Sequence, residues 1–179
     1  MSWLVRIAVA MAALHITPTV ILVKRPEAVT RLAPGADAFF AREVHLSGAD
    51  AHKLHRAVDW SPEDGVLTFY TGKHGAATVG AFLFVRVDTP HGPLEVAVGF
   101  DPAGAIRAVE VTKATVETKP WVLDALRVGL TDAYKGLKPG TAPGGAATVR
   151  DKVGELPAYM AEQVDKAVSR ALAAYELFR

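Results

Sequence analysis

At 179 residues, with 20 Lys and Arg against 19 Asp and Glu, the chain has the length of one domain plus a leader and is close to neutral. Its basic residues are scattered, with no patch interleaved with aromatics, which excludes nucleic acid as a partner. Cysteine is absent, which excludes disulfides, thiolate zinc sites, iron–sulfur ligation and c-type haem attachment.

Residues 1–24 begin MSWLVRIAVAMAALHITPTVILV, a long apolar run with Arg6 near its start and Thr17-Pro18-Thr19 inside it. The run is just long enough to span a bilayer and has no small-residue cleavage site directly after it. We read it as a membrane anchor in preference to a cleaved signal segment. Residues 25–38 read as a juxtamembrane linker in which Pro26 opens a short helix through Leu32, ended by Pro34-Gly35. The folded domain is expected over 39–179.

Within that domain, Glu43 to Leu46 reads as a short strand, and Ser47 as the N-cap of a helix from Ala49 to about Val58. Val66 to Thr71 and Thr78 to Val87 read as a hairpin joined at Gly72-Lys73-His74-Gly75. A turn over Asp88 to Pro93 leads into Leu94–Phe100 and Ala105–Val111, two Val- and Ile-rich strands joined by Asp101-Pro102-Ala103-Gly104. Val122 to Val128 reads as a short helix and Gly136 to Gly145 as loop. Leu156 to Phe178 is expected as a long helix, because Val164, Ala167, Val168, Ala171, Leu172 and Tyr175 repeat at helical spacing. The expected fold is therefore α+β: an antiparallel sheet of four or five strands with helices packed against it.

Serine hydrolase, phosphate-loop and dinucleotide fingerprints are absent. His52 and His55 stand at i, i+3 on a helix, but no acidic residue is spaced to complete a metal site with them. His74 lies between strands as a turn residue. The polar segment leaving the last strand is the candidate site. Lys113, Thr115, Glu117, Thr118 and Lys119 gather cations and hydroxyls, which suits a phosphate or a flavin's polar edge, and Trp121 offers a face for a planar ring.

These residues resemble a known family. Leu32-Ala33-Pro34-Gly35-Ala36, Val98-Gly99-Phe100-Asp101-Pro102-Ala103-Gly104-Ala105-Ile106, the pair Glu117-Thr118 and the closing Ala167 to Leu172 are similar to the FMN-binding domain of flavin subunits in Rnf and sodium-translocating NADH:quinone reductase complexes. Two departures stand out. Lys119-Pro120-Trp121 replaces the Pro-Gly that follows Glu-Thr in the family, and the Ser-Gly-Ala-Thr-x-Thr motif for covalent flavin attachment is missing, with Gly145-Ala146-Ala147-Thr148 only a partial look-alike.

The resemblance implies a membrane-anchored electron-transfer protein, rather than a stand-alone enzyme, holding FMN noncovalently. It implies a place on the periplasmic side of a bacterial inner membrane, beside a membrane redox complex or a periplasmic electron carrier. Thr115, Glu117, Thr118, Lys119 and Trp121 are the expected flavin contacts. The alternative is a flavin-free accessory module of such a complex. A histidine-ligated metal or haem protein using His52, His55 or His74 is a third reading.

Overall fold

The computed structural model describes residues 17–179, so most of the expected anchor lies outside the described residues. The architecture is α+β, with one antiparallel sheet of six strands in the order β1-β6-β5-β4-β3-β2. The strands are β1 (Thr19–Ile21), β2 (Ala38–His45), β3 (Val66–His74), β4 (Ala77–Thr89), β5 (Gly92–Phe100) and β6 (Ile106–Thr115). Five α-helices accompany them: α1 (Arg25–Leu32), α2 (Gly48–Val58), α3 (Lys119–Arg127), α4 (Gly145–Val153) and α5 (Glu155–Phe178).

The sheet thus exceeds the expected four or five strands. The extra strand, β1, pairs Thr19–Ile21 against Thr115–Lys113 of β6. It falls inside the segment read as membrane anchor, because a β-branched Thr-Val-Ile run scores as apolar whichever structure it adopts. No helix among the described residues is long and apolar enough to cross a membrane. The expected linker is also part of the fold. Pro26 does open a helix that runs through Leu32, but α1 buries Ala28 and Leu32 against the sheet.

Three glycines lie beneath the docked helix end, and helix α1 and Ala33 account for two of them, Gly72 and Gly99. A Cβ on Gly72, Gly80 or Gly99 would come within 3 Å of Ala33, of the Phe100 carbonyl or of Leu32, respectively. Gly72 pairs with Gly80 across β3 and β4, and Gly99 sits on β5 opposite Phe82. Together they form a floor without side chains, onto which the end of α1 settles. Arg25 and Arg31 fasten the helix through Glu95 and Glu110, each at 3.1 Å.

The opposite face carries the main core. Leu83, Val85 and Val87 of β4, Val96 and Val98 of β5, and Val109 and Val111 of β6 alternate inward at period two. They meet the stripe of α5, where Val164, Val168, Ala171 and Leu172 are all buried. Tyr175 stacks on Phe100 with ring centroids 4.0 Å apart. Ser47 caps α2 as expected, its Oγ accepting from the Asp50 amide at 3.2 Å.

The hairpin β5–β6 turns where Asp101 to Gly104 predicts. The Ala105 amide donates to the Asp101 carboxylate at 3.0 Å, and Gly104 takes a positive φ of 82°. Its ladder runs from Phe100–Ile106 to Glu95–Lys113 with two bulges. The β3–β4 hairpin behaves differently. It pairs from His74–Ala77 to Tyr70–Phe82 and stops. Beyond that point Val66–Phe69 pair with β2, and Leu83–Thr89 pair with β5. The sheet is split between β3 and β4 at one end.

Candidate functional site

The expected site lies where β6 hands over to α3, and its residues serve one another. Thr115 and Thr118 are buried, at 0% and 2% exposure. Their hydroxyls stand 2.9 Å apart, and each backbone amide donates to the other's Oγ1 at 3.2 Å. This reciprocal lock closes the strand-to-helix turn and leaves neither threonine open to a ligand. The sequence places the two hydroxyls correctly but cannot show that they face each other.

Glu117 and Trp121 converge on a residue outside the sequence-based set, His91. Its Nδ1 lies 2.9 Å from Glu117 Oε1, and its ring meets Trp121 and Tyr159 edge-on. His91 occupies the β4–β5 turn, where Thr89 Oγ1 accepts from its amide at 3.0 Å. The group ties that turn to α3 and α5. Lys119 is exposed at the start of α3 and joins neither cluster.

The loop expected over Gly136 to Gly145 ends at Gly144, and Gly145 opens helix α4 instead. Its first amides are already engaged. Asp165 of α5 accepts from Gly145 N and Ala146 N, both at 3.1 Å, and from the Tyr134 hydroxyl at 2.8 Å. A carboxylate therefore stands where the exposed start of a helix would receive an external anion. Burial first, and the neighbouring Asp165 charge second, push the Tyr134 phenol far above its ordinary range. Tyr134 is a neutral donor at every physiological pH.

The histidines of the third reading are dispersed. His55 lies 3.4 Å from Asp59, and His74 lies 3.2 Å from Asp37, both on the surface. Among the described residues, no three His, Asp or Glu side chains gather in a way that could hold a metal ion.

The split between β3 and β4 is the site that sequence reasoning missed. It opens a cleft of about 680 Å³, bordered by the Asp59–Glu63 loop and reaching both layers of the fold. Three aromatic side chains line it, Trp60, Tyr70 and Phe84, together with three arginines, Arg25 from α1, Arg86 from β4 and Arg170 from α5, and three carboxylates, Asp59, Glu63 and Asp88. Arg25 lies over Phe84, 4.4 Å from the ring centroid, and Arg170 lies over Trp60 at 5.5 Å. Arg86 binds Asp88 at 2.8 Å, which raises its already high pKa.

Arg170 reaches across and donates to the Arg86 carbonyl at 3.1 Å, in place of a ladder bond from a neighbouring strand. The only sequence signal for this cleft is Trp60 in a polar loop. The pairing of strands that stops halfway along a hairpin leaves no trace in the pattern of residues.

The two places therefore differ in their fit to FMN. At the β6–α3 turn the hydroxyls of Thr115 and Thr118 are buried and bonded to each other, and so are not turned toward a ligand. The cleft offers aromatic faces for a ring and guanidinium groups for a phosphate, beside the carboxylates of Asp59, Glu63 and Asp88, in a volume typical of small-ligand sites. No protein-family model and no curated protein matches the chain.

Proposed function

We propose that this domain binds FMN noncovalently in the β3–β4 cleft and acts as an electron-transfer component beside a membrane redox complex or a periplasmic carrier. The observation that supports it is the meeting of Trp60, Tyr70 and Phe84 with arginines from two separate layers at a gap in the sheet. Bound flavin supplies the one- and two-electron chemistry, and the protein supplies position and electrostatics. The side chains here exclude water from the ring edges and offset the phosphate charge. The residues first expected as contacts then lie apart from the flavin: the Thr115–Thr118 lock closes the end of β6, with β5 and β4 between it and the cleft. A membrane anchor within residues 1–24, at a bacterial inner membrane with the domain on the periplasmic side, belongs to the same proposal.

The test is the visible absorption spectrum of the purified chain after incubation with FMN and removal of excess, before and after acid precipitation. Flavin bands that pass to the supernatant support the reading. A protein that stays colourless rejects it, and bands that remain with the pellet reject its noncovalent part.

One observation favours the second reading, a flavin-free accessory module. Asp165 fills the start of α4, and the two threonines fill each other, so two polar clusters near the sequence resemblance are self-contained. A colourless protein that nonetheless co-purifies with a membrane redox complex would select that reading.

A further inference from the structure

The cleft holds three arginines and three carboxylates, Asp59, Glu63 and Asp88, and two of the arginines are in ion pairs. Arg25 binds Glu95 at 3.1 Å and Arg86 binds Asp88 at 2.8 Å. Arg170 has no ion-pair partner among the described residues. Asp88 and Asp59 act on it only through space, while burial works against its charge and lowers its pKa. Its hydrogen bond to the Arg86 carbonyl and its position over Trp60 fix the guanidinium plane but leave most of its N–H donors unused. A half-buried, oriented, unpaired guanidinium is a receptor for a planar or tetrahedral oxyanion, because two of its N–H groups can meet two oxygens at once.

We infer that Arg170 is the anion anchor of the cleft and takes the terminal phosphate of a phosphomonoester whose ring lies toward Trp60, Tyr70 and Phe84. The inference rests on the cleft being the ligand site proposed above, and it adds which end of the ligand sits on the α5 side. The hydration that the guanidinium gives up is offset by its charge-assisted hydrogen bonds to the incoming phosphate. Arg25 and Arg86, already neutralised, line the cleft without competing for it. The cleft therefore discriminates by phosphate as well as by ring.

The test compares FMN with riboflavin on the full chain, followed by quenching of flavin fluorescence. The wild type is expected to hold FMN about 10- to 100-fold more tightly, the range of a charge-assisted hydrogen bond. Arg170→Gln is expected to bring the ratio of FMN to riboflavin affinity down to about one, and Arg170→Lys to recover part of it. An FMN-to-riboflavin ratio that survives Arg170→Gln overturns the anchor and leaves the flavin reading standing.

A second measurement needs neither flavin nor a variant. Inorganic phosphate is titrated into the wild-type chain while the Arg170 Nε–H resonance is followed by NMR, with chloride at matched ionic strength as control. A saturating, phosphate-specific shift supports the anchor even where no flavin binds, and in that case it is the flavin reading that falls. An unmoved resonance overturns the anchor.

Discussion

The β5–β6 and β3–β4 hairpins lie in one sheet, share the strand β4–β5 contact between them, and meet opposite fates. The first is paired along nearly its whole length and ends in Thr115 and Thr118, which satisfy each other. The second is paired only near its turn and opens into a cleft with an unpaired arginine. Polar side chains at the end of a complete ladder have backbone donors and acceptors close by and bond locally. Polar side chains beside a broken ladder have fewer local partners, and one of them, Arg170, turns to a strand carbonyl and keeps donors to spare. Closure and availability are set by strand pairing rather than by residue type.

The largest way to break this contrast is Asp165→Ala, which leaves Tyr134 and two α4 amides without their charged acceptor. It is expected to cost about 3 kcal/mol in denaturant unfolding, the scale of buried hydrogen bonds to a charge. A variant that lost no stability and gained phosphate affinity would make the start of α4 an open site and erase the contrast. Next is Thr118→Val, which strips the acceptor from the Thr115 amide and is expected to cost about 1–2 kcal/mol while FMN affinity holds. If affinity collapses and stability does not, the exit segment is the flavin contact after all.

On the open side, Trp60→Ala is expected to weaken FMN about tenfold, as the loss of one aromatic contact does, and to lower stability by about 1 kcal/mol because the ring packs partly buried against the main core. Isothermal titration beside a urea melt reads both quantities. The smallest effect concerns Glu95, the carboxylate that pins Arg25. Burial raises its pKa, but hydrogen bonds from Thr112, Lys113 and Arg25 outweigh burial and hold it below the ordinary 4.5. A lowered folded-state pKa gives stability that is full above the unfolded value and is lost as pH falls through the lowered one. Glu95→Gln should therefore flatten the acid side of the stability profile, as measured by melting temperature against pH.

Much of the fold was legible because local rules and tertiary structure agree. The Ser47 cap, the Asp101–Gly104 turn and the period of α5 each specify their element from neighbours within a few residues. The short strand expected at Glu43–Leu46 is instead Ala38–His45, since Phe39 and Phe40 fit a pleated edge as well as a domain entrance. The strand β1 and helix α4 were hidden for opposite reasons. Thr19–Ile21 is apolar enough to pass for part of an anchor, and Gly145 follows glycine and proline that ordinarily mark loop. Helix α4 starts there because Asp165, twenty residues on, supplies its missing cap.

At the candidate site, the residue types were legible but their partners were not. Sequence spacing brings Thr115 near Thr118, yet whether two hydroxyls face a ligand or each other depends on the turn's path. His91 and Glu117 are joined only once β4 to β6 are laid side by side. The cleft depends on a ladder that ends early, and its aromatic and arginine side chains come from four elements and a loop.

The pairing of β1 with β6 fixes where the chain enters the domain. Val116 donates to the Pro18 carbonyl at 2.9 Å, so residue 17 emerges at the end of the sheet that holds the β4–β5 turn. The split between β3 and β4 opens toward that same end. From β1 to β4 is three strand spacings, about 14 Å. The chain therefore joins the fold at the end of the sheet where β3 and β4 part, and within the sheet a change at β1 reaches the cleft through β6 and β5 alone.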